Sequence, residues 1–106
     1  MNIKIHISKK SITFLDESDI LLEECENNLS SPRILVQDIM QAEEFFAKII
    51  RKHCRGIIRP KVTLDLDENI FDDEITNTEE RALFNVLFKA GIRKLIYKGE
   101  VIGYNT

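Results

Sequence analysis

The stretch from Arg59 to Glu100, RPKVTLDLDENIFDDEITNTEERALFNVLFKAGIRKLIYKGE, decides the fold, because it reads as strand, loop, capped helix and strand in one run. Val62, Leu64 and Leu66 alternate with Thr63, Asp65 and Asp67, the period-two pattern of a strand with one buried face. Thr76 and Glu79 then make a capping box: the Thr76 hydroxyl accepts from the Glu79 backbone N–H, and the Glu79 carboxylate accepts from the Thr76 N–H. Ala82, Leu83, Val86, Leu87 and Ala90 supply the buried stripe of the helix, and Gly91 suits the left-handed residue after its last turn. Lys94 to Lys98 predicts the next strand, with Val101 to Tyr104 extending or flanking it.

Upstream, Ile3, Ile5 and Ile7 fall on one face of a strand with Lys4 and His6 on the other. Ser11 to Leu15 repeats the alternation, and Asp16-Glu17-Ser18-Asp19 turns the chain into Ile20-Leu21-Leu22, so three short strands form an antiparallel meander. Asn27 to Pro32 is a polar loop too short to separate domains. Ile39, Ala42, Phe45, Phe46, Ile49, Ile50 and His53 recur at helical spacing, predicting a helix from about Asp38 to Arg55 that ends before Gly56. The order is therefore βββαβαβ. Right-handed crossovers put the fourth strand beside the first, giving an α/β fold with a mixed five-stranded sheet of order 3-2-1-4-5 and two helices, the ribonuclease H-like arrangement on which actin subdomains are built.

With 106 residues, 43% of them hydrophobic, residues 1–106 are expected to make a single domain around one core. The net charge of -3, from 15 basic and 18 acidic residues, argues against nucleic acid or an anionic membrane as partner. Cys25 and Cys54 lie outside any C-x-x-C spacing, and no N-terminal apolar signal segment or bilayer-length run is present; a cytoplasmic protein with two reduced thiols is expected.

The segment Thr76, Glu79, Glu80, Arg81, Ala82 (T-x-x-E-E-R-A), followed by Ala90 to Arg93 (A-G-I-R) and an apolar strand, resembles the first subdomain of MreB-type bacterial actin homologues, the rod shape-determining family. Arg59-Pro60-Lys61-Val62 is similar to that family's R-P-x-V strand, and Val36-Gln37-Asp38 with Ala42-Glu43 to its I-A-D leading into a T-E helix. Ile3 to Leu15 lies where the family has its I-G-I-D-L-G-T-x-N-T hairpin, but His6 stands in place of the Asp that works near magnesium, and Ser8-Lys9-Lys10 in place of the glycine turn that lets backbone N–H groups approach phosphate. The second phosphate loop and the partner domain are also missing from the 106 residues. The resemblance thus implies a truncated, actin-like domain that is not an ATPase or any other enzyme, with no catalytic, cofactor-binding or metal-binding residues and no cofactor.

Three other constellations bear on chemistry. Asp65, Asp67, Asn69, Asp72, Asp73 and Glu74 begin like a calcium loop, but Ile70 stands where glycine makes the sharp turn and Thr76 where a bidentate Glu is required; a solvated loop before a helix N-terminus is the simpler reading. A metal-dependent nuclease of ribonuclease H-like fold could draw a ligand from Asp65 or Asp67, yet the first strand offers His6 and no carboxylate. His53 beside Cys54 lacks a second His/Cys pair and reads as packing at a helix end.

The expected function is protein association linked to bacterial cell shape or the cytoskeleton, with the degenerate nuclease or a small regulatory or immunity protein as alternatives. In a 3-2-1-4-5 sheet, strands three and five are edges, and unpaired edges invite another chain. The candidate interaction edge comprises Lys94, Ile96, Lys98, Glu100, Ile102 and Tyr104, with Ile20 to Cys25 as the other edge. The expected partner is a protein, either an actin-like filament protein or a second copy forming a homodimer.

Overall fold

The computed structural model describes residues 2–29, 36–54, 59–67 and 76–104. Along the chain run β1 (Asn2–Ile7), β2 (Ser11–Asp16), β3 (Leu21–Glu26), α1 (Ile39–His53), β4 (Lys61–Leu66), α2 (Asn77–Lys89), β5 (Lys94–Tyr97) and β6 (Glu100–Tyr104). They build a mixed α/β fold on a six-stranded sheet of order β3-β2-β1-β4-β5-β6. β1 pairs in parallel with β4, and β4 with β5, while the β1–β2, β2–β3 and β5–β6 pairs are antiparallel. The expected order of the first five strands holds, and a sixth strand is added at one edge.

That sixth strand corrects the reading of Lys94 to Tyr104 as one edge. Lys98 and Gly99 both take positive φ, 52° and 78°, and close a two-residue hairpin between β5 and β6. This is the turn geometry whose twist matches that of the flanking strands. Lys94 and Ile96 consequently lie on an interior strand, Lys98 lies in the turn, and Glu100, Ile102 and Tyr104 lie on the true edge. The edges are β3 and β6, not β3 and β5.

The period of two decides which residues meet the helices. Glu23, Phe14, Ile5, Leu64, Tyr97 and Glu100 form one register row across all six strands, and Ile3, Val62, Leu95 and Gly103 form the next across β1, β4, β5 and β6. Both rows face the helices. Phe46 of α1 packs edge-on against Phe14, with ring centroids 6.1 Å apart, and Phe84 of α2 against Tyr97 at 5.3 Å. Ala42, Phe46, Ile49 and Ile50 of α1 and Leu83, Phe84, Val86 and Leu87 of α2 complete this single core. Each helix has the cap its sequence supplies. Asp38 accepts from Gln41 N–H at 3.1 Å, and Thr76 and Glu79 make the full capping box. Gly91, at φ 107°, ends α2 as expected.

The opposite face of the sheet carries no helix among the described residues. Its rows are Glu24–Thr13–His6–Asp65, then Leu15–Lys4–Thr63–Ile96–Val101, then Asn2–Lys61–Lys94–Tyr104. Polar side chains dominate it, which is how a sheet tolerates water on one side.

Candidate functional site

Three places bring functional side chains together. The first lies at the C-terminal ends of β1 and β4. Parallel pairing puts His6 level with Asp65, and His6 Nδ1 lies 2.8 Å from Asp65 Oδ2, the separation of an imidazole N–H donating to a carboxylate. The Ser8–Ser11 turn stands above it, closed by Ser8 N–H donating to Ser11 C=O at 2.9 Å and by the two hydroxyls 3.1 Å apart. Asp67 donates its N–H to Ile7 C=O at 2.9 Å and so continues the ladder. Both members of the His6–Asp65 pair are exposed, so their attraction is weak and screened. Among the described residues no three His, Cys, Asp or Glu side chains converge as a metal site would need. Asn69, Asp72, Asp73 and Glu74 of the acidic run lie outside the described residues.

The second place is a polar knot between β3 and the end of α1. Glu23 points to the helix side, where it accepts from Lys52 Nζ and stands 3.5 Å from His53 Nε2. The Lys52 bond, followed by that from His53, outweighs partial burial and holds the Glu23 carboxyl below the usual carboxylate range. The Cys25 thiol donates to Glu23 Oε2 at 3.7 Å, and burial together with that carboxylate pushes its pKa up. Burial raises Cys54 likewise. Both shifts favour the protonated, less nucleophilic form of the thiol, and His53 is a structural partner of Glu23.

The third place is the β5–β6 edge. Val101, Ile102 and Tyr104 are exposed large hydrophobic residues on one short strand. Lys94 Nζ lies over the Tyr104 ring, 5.4 Å from its centroid. A Cβ on Gly103 would come within 3.3 Å of the Phe88 ring, so this glycine lets α2 reach over the edge strand. The other edge differs in charge. β3 reads Leu-Leu-Glu-Glu-Cys-Glu, and its three glutamates repel a like strand. Both edges contain a bulge, with Leu22 the extra residue of β3 and Ile102 that of β6.

The six residues of the expected edge are thus divided between β5, the turn and β6; β6 carries three exposed large hydrophobic residues, while Leu21 on β3, Ile20 before it, and Ile39 and Met40 of α1 are exposed elsewhere. Sequence reasoning missed the His6–Asp65 pair and the Glu23–Lys52–His53 knot, because only strand register joins residues so far apart along the chain. No protein-family model matches the chain, and no curated protein matches it in sequence.

Proposed function

We propose that this chain is a non-catalytic domain of ribonuclease H-like, actin-subdomain topology that works by protein association, pairing a strand of a partner onto β6. The observation that carries the proposal is the contrast between the two sheet edges. β6 has one charged residue, Glu100, and exposes Val101, Ile102 and Tyr104, whereas β3 has three glutamates beside a single exposed large hydrophobic residue, Leu21. Sheet edges that remain unpaired in solution are usually guarded by charge, and β6 lacks that guard beyond its first residue. An incoming strand would gain backbone hydrogen bonds on either side of the Ile102 bulge and bury the three side chains.

The topology supports the finer part of the reading. A three-strand antiparallel meander followed by two crossovers, with β1, β4 and β5 parallel, is the arrangement expected from the resemblance to MreB-type proteins. His6, whose imidazole is engaged by Asp65, takes the place of a magnesium-facing carboxylate, and Ser8-Lys9-Lys10 that of a glycine turn; both favour association over phosphate transfer. The partner is a second copy or an actin-like filament protein of the cell-shape system.

Sedimentation velocity of the full chain, alone and with polymerised MreB-type filament, tests this. The parent should form a dimer as concentration rises or co-sediment with filament, and Val101→Lys/Ile102→Lys should do neither. Both positions are exposed, so the variant should keep its stability within about 0.5 kcal/mol. A parent that stays monomeric and ignores filament, or a variant that associates as the parent does, defeats the proposal.

A further inference from the structure

The bare face of the sheet holds a second feature, near the N-terminal ends of β1, β4 and β5. Asn2, Lys61 and Lys94 stand in one register row on three adjacent strands, and Lys4, Thr63 and Ile96 in the next. With Glu17 they line a concavity of about 300 Å³. Three of these side chains are lysines, each only partly exposed.

Lys61 and Lys94 are the informative pair. They are direct cross-strand partners on strands only about 4.8 Å apart, so both side chains rise from one register row into the same hollow, with Lys94 Nζ turned towards Tyr104 on β6. Like charges directly opposite each other destabilise a sheet. Nearby carboxylates offset this charge only in part: Asp19 is bound by Lys4 Nζ, and Glu17, which lines the same hollow, accepts from the Asn2 amide at 3.5 Å. Lys94 lies over the Tyr104 ring, and Lys61 has no hydrogen-bond or ion-pair partner among the described residues. A chain with an excess of acidic residues has thus set three lysines against one carboxylate in the lining of a hollow.

We propose that Lys61 and Lys94 bind a phosphate dianion, with the Thr63 hydroxyl available as a further donor. The chemistry fits in three respects. Two ammonium groups from neighbouring strands can grasp separate oxygens of one tetrahedral anion and cancel its charge, and such charge-assisted bonds are the strong ones. The hollow admits a small phosphorylated molecule, whose organic part would lie on Ile96. At about 300 Å³ the hollow has the size of one small anion or ester and not of an extended nucleic-acid backbone. The site stands at the other end of the sheet from the Ser8–Ser11 turn and does not depend on association through β6.

Amide-shift titration of the isotopically labelled full chain tests the site, using inorganic phosphate and, separately, phenyl phosphate at constant ionic strength. Saturable shifts centred on Lys61, Thr63, Lys94 and Ile96 are expected, with binding at least about tenfold weaker in Lys61→Gln and in Lys94→Gln and unchanged in Lys48→Gln on the exposed face of α1. Tighter binding of phenyl phosphate would identify an ester as the ligand and equal binding the free ion; either supports the site. The two site variants should also have higher urea midpoints than the parent in phosphate-free buffer and lose the rise that phosphate gives the parent, a trade that a purely structural role would not produce. Shifts that never saturate, equal binding by all four proteins, or binding of an oligonucleotide but of neither phosphate would overturn the proposal.

Discussion

Tyr97 shows how a single residue ties the fold to pH. Its ring lies in the core beside Phe84, and its hydroxyl donates to Glu80 Oε1 at 3.5 Å. Burial first, and then the Glu80 carboxylate, push its pKa up to about 12. A tyrosine in the unfolded chain ionises near pH 10, so the folded state holds this proton more tightly. The resulting stability is complete below about pH 10 and lost as pH rises towards about 12. Urea melts across that window should show the decline, and Tyr97→Phe should flatten it; an equally steep decline in the variant would mean that other groups drive alkaline unfolding. Glu23 works in the opposite sense. Lys52 depresses its pKa, so its contribution is present above the unfolded value, about 4.3, and disappears as pH falls through the folded one. Glu23→Gln should therefore be less stable than the parent at neutral pH and approach it in acid. A stability difference that does not change with pH would remove Lys52 and His53 as the cause.

At the scale of elements, α2 is the most legible part of the sequence. Thr76→Ala removes the acceptor for Glu79 N–H and should cost about 0.5 to 2 kcal/mol in a urea melt. An unchanged midpoint would place the helix start elsewhere. α1 was equally plain, since its apolar positions return every three or four residues and its Asp38 cap stands one residue before the first turn. The β5–β6 hairpin was not plain. Its turn uses Lys98 at φ 52°, a conformation that non-glycine residues seldom adopt, where Asn or Asp before Gly99 would have announced it. Proline at Lys98, which would probe the edge if β5 were the outermost strand, instead conflicts with that positive φ and should unfold the hairpin. The edge is better approached through Val101 and Ile102.

Across the whole molecule, local period and handedness were sufficient for the order of the first five strands, because each alternating segment has one face that must be buried and each crossover has a preferred hand. Side-chain meetings across strands were not legible in the same way. His6 and Asp65 are 59 residues apart, and Lys61 and Lys94 stand opposite each other only because of the register in which β4 and β5 pair. Among the described residues no helix is long and apolar enough to cross a membrane. Among the described residues the sheet has one face packed under two helices, one polar face without a helix, and two edges of unlike character. The proposed association through β6 is tested most directly by amide hydrogen exchange of the full chain at rising protein concentration and with MreB-type filament added. Protection of Glu100 to Tyr104 should increase in at least one of these conditions while Leu21 to Glu26 is unaffected. Unchanged exchange along β6 in both conditions, or protection that grows on β3 instead, would contradict it.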